Sequence, residues 1–294
     1  IKIITPSYSN YGMLLCSTLM QRLLAITSSL LLLVFLNIGH AQWGWGVGEG
    51  NLPPRFPPRS LPDRDFAFCK IMYDQVRYER LGMGWSTDYP FAGINLMLRF
   101  EDLTTARIST DRRGEPNHWV VRMTDDALFN CPFTMASDVG TIGFSPEEAL
   151  RMREYLLKGG FLWVDDFWGT PAWEHWENEI GKVLPRAEYP IRDVPLDHPV
   201  FRAMTHVDKV PQITAIQFWY GTRGRTTSER GADSEVAHLR AITDKHGRFL
   251  VVMTHNTDVA DAWEREADDP RFFAQFAPDG YGLGINVLVH MMSH

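Results

Sequence analysis

The sequence is poor in cysteine and in positive charge, and each shortage excludes a class of protein. Three cysteines in 294 residues are too few for a scaffold built from disulfides. Lys and Arg total 29 against 36 for Asp and Glu, which gives a formal charge of −7. Duplex DNA and anionic membranes attract basic surfaces, so we expect no nucleic-acid partner and no membrane contact beyond a targeting segment. The 45% of hydrophobic residues excludes wholesale disorder.

Familiar catalytic and metal-binding motifs are also missing. The sequence has no HExxH, CxxC, Walker or GxSxG motif, and the GxG pair at residues 282–284 directly follows no predicted strand. We therefore assign no metal and no cofactor. Cys69 lies within a predicted strand and Cys131 precedes one, so neither stands where a nucleophilic thiol would. We expect both to be buried and unpaired, although an oxidising compartment would allow a disulfide.

Residues 1–41 have the features of a secretory signal. Residues 23–38 carry no charge, a basic residue precedes them, and small residues lead up to Ala41. This pattern predicts a signal peptide that starts at Met20 and is cleaved after Ala41, with upstream sequence before it. The protein is thus expected in the periplasm or outside the cell. An uncleaved N-terminal membrane anchor is the alternative.

Two changes in composition divide the rest of the chain. Residues 42–64 are rich in Gly and Pro and show neither a helical nor a strand period. Such a stretch is typical of an extended linker or surface arm. From residue 65 to residue 294 the hydrophobic pattern is regular, and we interpret this part as a single domain.

Strand and helix patterns alternate along this domain. In the clearest unit, Ser145 and Glu148 predict the capped start of a helix, a Gly-Gly pair ends it, and an apolar strand follows at residues 161–164. Further strands are predicted at residues 66–73, 132–136, 213–220, 236–243 and 249–253, the last two as a hairpin. Further helices are predicted at residues 91–100, 171–183 and 284–292. This alternation predicts an α/β fold with a mostly parallel sheet and helices on both faces.

Polar residues follow several of the predicted strands. Ligands of open α/β sheets bind beyond the carboxyl ends of the strands, so these residues form the candidate pocket. They are Asp74, Arg77, Ser137, Asp138, Asp165, Asp166, Trp168, His255, Asn256 and Asp258.

Asp165 and Asp166 are the sharpest candidates in this set. Side chains alternate across a sheet, so one carboxylate is expected to face the crevice and the other to brace a loop or cap a helix. The functional alternative is a metal ligand or a general acid or base. His255 is a second candidate base, although its sequence spacing matches no standard zinc site.

Aromatic residues crowd the same region. Trp163, Trp173 and Trp176 are close to Trp168 in the sequence. Core packing accounts for Trp163, because a tryptophan buries a large apolar area. Trp168 lies just past the predicted strand end and is the best candidate for a ring that stacks on a sugar.

With these segments identified, the chain resembles the bacterial domain of unknown function 4159 family from about residue 66 to its end. The most specific match is GGFLWVDDFWG at residues 159–169. Other matching stretches are residues 71–74, 144–148, 195–201, 228–233, 254–258 and 281–289. The resemblance implies a class I glutamine-amidotransferase-like fold, a flavodoxin-like three-layer sandwich similar to that of trehalose-utilisation proteins.

The resemblance also bears on catalysis. In catalytic members of that superfamily a cysteine follows the strand that corresponds to residues 161–164. Asp165 and Asp166 occupy this place here, which argues against thiol-dependent amidotransfer. The family brings no established catalytic residues, so none is carried over.

Three functions fit these observations. The first, which we favour, is an exported non-catalytic module that binds a small polar or carbohydrate-like ligand, or a protein of the cell envelope. The second is a carboxylate- or metal-dependent hydrolase that acts at the strand ends. The third is a structural subunit of an envelope assembly, tethered by the Pro-rich arm.

Overall fold

The computed structural model describes residues 52–293. The predicted signal peptide and the first part of the predicted linker lie outside these residues. Among the residues described, no helix is both long and apolar enough to cross a bilayer.

A seven-stranded sheet forms the middle layer of the domain. The described residues form these strands, two of which lie outside the main sheet: β1 (Phe68–Met72), β2 (Asp74–Gln75), β3 (His118–Arg122), β4 (Thr134–Ser137), β5 (Ile142–Gly143), β6 (Leu162–Asp165), β7 (Arg192–Asp193), β8 (His238–Thr243) and β9 (Phe249–His255). Seven of them pair in the order β3-β1-β4-β6-β9-β8-β7, and β2 pairs separately with β5. β3, β1, β4, β6 and β9 run parallel, whereas β8 pairs antiparallel with β9 and β7 pairs antiparallel with β8. The parallel strands therefore end together at one side of the sheet, which we call the carboxyl edge.

Helices cover both faces of the sheet. They are α1 (Phe91–Leu103), α2 (Pro146–Leu157), α3 (Gly169–Val183), α4 (Ile216–Thr222), α5 (Asp261–Glu264) and α6 (Pro270–Ser293). One hydrophobic cluster joins the sheet to α1 and α6, and a second joins it to α2 and α3. Along β6, Trp163 belongs to the first cluster and its neighbours Leu162 and Val164 to the second. The strand is buried on both faces, and the expected α/β architecture is confirmed.

Two local predictions are confirmed in atomic detail. At the start of α2, Ser145 Oγ accepts a hydrogen bond from Glu148 N, and Glu148 Oε2 accepts one from Ser145 N at 2.9 Å. β8 and β9 form the predicted hairpin, whose turn is fixed by Asp244 Oδ1 accepting hydrogen bonds from the backbone N–H groups of His246 and Arg248. Both features depend on residues close in sequence, which is why the sequence pattern reveals them.

Residues 213–220 are predicted as a strand, but most of them, from residue 216 onward, lie in helix α4. Ala215 N donates to Glu229 Oε1 at 2.8 Å, and Ile216 N donates to Asp261 Oδ2 at 2.7 Å. These carboxylates are 14 and 45 residues away in sequence, and they satisfy the N–H groups at the helix start. The prediction is wrong because distant partners decide the conformation of this segment.

The described part of the Pro-rich arm lies along the edge strand β3. Val120 N donates to Arg55 O at 2.9 Å, and Arg55 Nη2 donates to Asn117 Oδ1 at 2.8 Å. The Arg55 guanidinium also lies 4.7 Å from the centroid of the Trp119 ring. The arm thereby covers backbone groups that would otherwise be open to pairing with another chain.

Cys69 and Cys131 form a disulfide, so the expectation of two unpaired thiols is wrong. Cys69 lies on β1 opposite Thr134 of β4, and Cys131 comes just before β4. The parallel pairing of these strands brings the two Cα atoms to 6.2 Å, within the range that a disulfide spans. The pairing of the two cysteines therefore follows from strand order, which sequence spacing alone does not reveal.

Removing this disulfide is expected to destabilise the domain. The cysteines are 62 residues apart, and loop-closure entropy for such a loop predicts a loss of about 4 kcal/mol in the free energy of unfolding. Urea unfolding of the Cys69→Ala/Cys131→Ala variant, with and without reductant, measures this loss. Reductant should lower the wild-type midpoint and leave the variant unchanged; equal midpoints for the oxidised wild type and the variant would contradict the prediction.

Candidate functional site

Three neighbouring strands, β4, β6 and β9, turn sharply at the carboxyl edge. Each is followed by a residue other than glycine in the left-handed region: Asp138 at φ 53°, Asp166 at φ 55° and Asn256 at φ 61°. Asp and Asn adopt this region more readily than other side chains, but it remains uncommon. The repeated turn places two carboxyl groups and an amide side by side along the edge.

Both carboxylate oxygens of Asp165 accept hydrogen bonds from the protein itself. The side chain is fully buried; Thr254 Oγ1 donates to its Oδ1 at 2.5 Å and Ala260 N donates to its Oδ2 at 2.8 Å. Burial, the largest cause, raises the pKa of Asp165 to about 7, and the charge of Asp88 adds to this effect. The side chain braces the segment that enters α5, and both of its oxygens are used in doing so.

Asp166 is the first residue after β6. It is 8% exposed, and its Oδ1 accepts a hydrogen bond from Trp168 Nε1 at 2.8 Å. Burial raises its pKa well above the ordinary value, and the charges of Asp88 and Asp138 add to the effect. Trp168 is itself buried at 3% exposure, so its ring offers no open face for stacking.

Asp138 is closely packed beneath a loop. Its Oδ2 accepts a hydrogen bond from Gly84 N at 2.8 Å, and a side chain at Gly82 would begin 2.3 Å from the same oxygen. Only glycine therefore fits at position 82 without a shift. Burial raises the pKa of Asp138 to about 7, and the charges of Glu79 and Asp88 act in the same direction. This carboxyl group changes charge close to neutral pH.

His255 is held in its neutral form by burial and by its hydrogen-bond partners. Its Nδ1 accepts a hydrogen bond from Arg240 Nη1 at 3.2 Å, because an arginine can only donate; Nε2–H then faces Gly169 O at 3.2 Å. Burial lowers the pKa of His255 to about 3. The ring packs against Phe167 and Trp173. Both nitrogens have partners within the fold, which does not suit a general base.

The remaining candidates have bracing or peripheral positions. Asn256 Oδ1 accepts from Gly169 N at 2.8 Å, and Asp258 Oδ1 accepts from Asp261 N at 3.0 Å. Arg77 Nη1 donates to the carbonyl oxygens of Gly140 and Pro171. Asp74 is exposed on the short strand β2.

Ser137 reveals residues that the sequence analysis missed. Its Oγ accepts a hydrogen bond from Lys70 Nζ at 2.7 Å and donates to Asp88 Oδ2. Lys70 is buried in the middle of β1, and its Nζ lies 3.7 Å from Asp88 Oδ2. A lysine inside an apolar strand needs a buried negative partner, so Lys70 was the signal in the sequence that could have indicated Asp88.

The carboxyl edge therefore carries a group of buried acids, which we call the acidic edge. Burial is the largest cause of a raised pKa in every member, and the charge of Asp88 contributes in every case. The members are Asp138, Asp165, Asp166, Asp258, Asp261 and Glu264. The arrangement favours cations and hydrogen-bond donors and disfavours anions.

A loop of residues 76–88, the covering loop, closes over this edge. Arg80 Nη2 donates to Glu229 O at 3.3 Å, and Arg230 Nη2 donates back to Arg80 O at 3.1 Å. Val76 and Tyr78 on the same loop are 59% and 78% exposed. The arginine contacts join the covering loop to the segment around Glu229, and together these segments shield the acids from solvent.

Two cavities are lined by residues other than the ten candidates. A cavity of about 730 Å³ is lined by residues 193–196, 209–213 and 235–239 together with part of α6. Another, of about 830 Å³, lies near the amino ends of β1 and β4 between residues 59–65 and 158–160. Neither is lined by any of the ten candidate residues. Because Gly84 N of the covering loop donates to Asp138 Oδ2, a ligand that binds this oxygen has to displace the loop.

Comparison with known families identifies the domain. The family model described as "Domain of unknown function (DUF4159)" matches residues 71–292. The chain belongs to this family. The match contains the five parallel strands except the first residues of β1, and it contains every acid of the acidic edge. No curated protein matches the chain.

Replacing Asp138 by Asn is expected to stabilise the domain at alkaline pH. A carboxyl pKa raised from 3.8 to about 7 means that the unfolded chain loses this proton first, so stability falls as pH rises from 4 to 7. Asn keeps an acceptor for Gly84 N but carries no charge. We expect Asp138→Asn to gain up to about 4 kcal/mol over the wild type at pH 8 and little at pH 4.

Urea unfolding at both pH values measures the difference. The control is Asp126→Asn at a fully exposed position, which should change stability by less than about 0.5 kcal/mol at either pH. A pH-independent effect of Asp138→Asn would show that Asp138 has no raised pKa.

Proposed function

We propose that this chain is an exported, non-catalytic binding module whose small polar ligand binds at the acidic edge, beside Asp138 and Asp166. One observation carries the proposal: two of the groups that a hydrolase would use, Asp165 and His255, are held by the fold itself. Asp165 spends both oxygens on Thr254 and Ala260, and His255 is neutral with both nitrogens in contact with protein partners. A base or nucleophile must instead be free to reach its substrate.

A relationship to class I glutamine amidotransferases is part of the proposal. It is supported by the parallel sheet and by the turn at Asp166, directly after β6, where catalytic members of that superfamily carry a cysteine. Cys69 and Cys131 are joined in a disulfide and have no free thiol to offer. The relationship would therefore be one of fold, with the thiol chemistry absent among the described residues.

The charge of the site limits the ligand. Clustered carboxylates repel anions, whereas hydroxyl and ammonium groups can donate hydrogen bonds to them. Asp138 and Asp166, with raised pKa values, can also donate when protonated. We therefore propose a carbohydrate-like or ammonium-bearing ligand held by hydrogen bonds. Stacking on Trp168 has no part in the proposal, because that ring is buried.

Export from the cytoplasm completes the proposal. The N-terminal signal pattern predicts it, and the disulfide Cys69–Cys131 supports it because such bonds persist in oxidising compartments. An envelope protein that contacts the exposed side of the covering loop, at Val76 and Tyr78, is the alternative partner.

A second candidate function is a carboxylate- or metal-dependent hydrolase. It is favoured by Asp138, because a carboxyl group with a pKa of about 7 suits a general acid at neutral pH. Turnover of chromogenic glycosides or esters that is lost in Asp138→Asn would favour this function over simple binding.

A thermal-unfolding screen tests the binding proposal. The purified chain is mixed with neutral saccharides, polyols or small amines, with EDTA present so that metal ions do not contribute. A ligand of the native state at 100 times its Kd stabilises by about 2.7 kcal/mol, which raises the Tm by several degrees. We expect a rise with at least one class of compound and its loss in Asp166→Asn.

The matched control is Asp208→Asn, which removes an exposed carboxylate that pairs with His206 and is not part of the acidic edge. It should keep the full rise in Tm. If no compound raises the Tm, or if Asp166→Asn responds like the wild type, the small-ligand proposal is wrong and the envelope-partner alternative gains.

A further inference from the structure

Three acids from two separate segments converge at one point of the buried interior. Asp88 ends the covering loop, and Asp261 and Glu264 lie three residues apart on α5. One carboxylate oxygen from each lies within 4.8 Å of the others. Their exposures are 3%, 2% and 7%, so all three acids are removed from solvent.

Part of this negative charge is already balanced. Arg265 Nε lies 3.1 Å from Asp261 Oδ1, and Arg265 Nη2 lies 3.2 Å from Glu264 Oε2. Lys70 Nζ lies 3.7 Å from Asp88 Oδ2 and donates its hydrogen bond to Ser137. Lys70 and Arg265 thus face three acidic side chains.

Glu264 provides a second and separate observation. Its Oε1 is buried and has no hydrogen-bond partner among the described residues, although Oε2 has Arg265. Leaving a buried carboxylate oxygen without a partner is costly, and native proteins rarely do so. This oxygen belongs to the same side chain that converges with Asp88 and Asp261, so a cation held by the three acids would lie close to it.

We propose that Asp88, Asp261 and Glu264 bind one hard divalent cation of the Ca²⁺ or Mg²⁺ type. All three donors are carboxylate oxygens, the ligands that these ions prefer, and no histidine or thiolate joins them. Two oxygens bound to one Ca²⁺ lie at most about 4.8 Å apart at bond lengths of about 2.4 Å, and each pair among the three side chains meets this limit. The bound ion would supply Glu264 Oε1 with its partner.

The cation would also have a mechanical effect. Asp88 belongs to the covering loop and the other two ligands belong to α5, so the ion would join these segments across the acidic edge. This site goes beyond the proposed polar ligand beside Asp138 and Asp166 and stands whether or not that ligand exists. The two proposals use different probes: metal salts alone in one case, and metal-free organic compounds in the other.

The experiment measures metal binding to the full chain. Protein treated with EDTA and dialysed is titrated calorimetrically with CaCl₂, MgCl₂ or MnCl₂ in separate runs, and its Tm is followed against NaCl of equal ionic strength. We expect one bound ion per chain and a higher Tm with at least one of the three salts. Comparing the runs identifies the preferred ion.

Two variants locate the site. Glu264→Gln keeps the shape of the side chain and removes one ligand charge, and it should weaken binding by at least about tenfold. Asp88→Asn tests the same ion from the opposite segment and should give the same loss. The matched control is Asp268→Asn, which removes a half-exposed carboxylate that pairs with the same Arg265 and should bind as tightly as the wild type.

Each outcome decides the proposal. Binding that is lost in both ligand variants and kept in the control supports it, with circular dichroism confirming that the variants are folded. If one ligand variant does not fold, the other decides. No binding of any of the three ions to the wild type, or unchanged affinity in a folded ligand variant, would overturn it.

Discussion

The structure depends on how buried negative charge is accommodated at the carboxyl edge. The buried side chain of Lys70, in the middle of β1, donates a hydrogen bond to Ser137, which in turn donates one to Asp88. Lys70 and Asp88 also form an ion pair. Around this contact, other carboxylates hold the backbone: Asp165 accepts from Ala260 N, and Asp261 accepts from Ile216 N. A carboxylate that accepts a backbone N–H is a strong hydrogen-bond acceptor, so the acids that form the candidate site also fix the loops that surround it.

Contacts between residues far apart in the sequence explain which parts of the fold could be predicted and which could not. The βαβ unit around residues 145–165 has its start, its end and its strand encoded by neighbouring residues, and the structure agrees with the prediction. The start of α4 is different, because its N–H groups are satisfied by Glu229 and Asp261 from elsewhere in the chain. The disulfide likewise follows from the pairing of β1 with β4, a tertiary relationship.

The candidate site was predictable to a similar extent. The rule that ligands bind beyond strand ends selected Asp138, Asp165, Asp166 and Asp258, and the structure places all four at the acidic edge. It did not select Asp88, Asp261 or Glu264, because these residues lie in a loop and a short helix whose positions depend on the packing of the whole domain. The rule gives the position of a residue but not its hydrogen bonds, and those bonds separate the bracing Asp165 from the more exposed Asp166.

The covering loop contacts both proposed sites, so binding at one site affects binding at the other. It touches Asp138 through Gly84 N, and it ends at Asp88 in the proposed cation site. A polar ligand beside Asp138 requires the loop to move away, whereas a cation at Asp88 holds the end of the loop against α5. Two ligands that favour opposite positions of one segment must weaken each other equally, since thermodynamic coupling is reciprocal. The acidic edge would then release its ion as it takes up its ligand, and a ligand that carries positive charge would replace the charge of that ion.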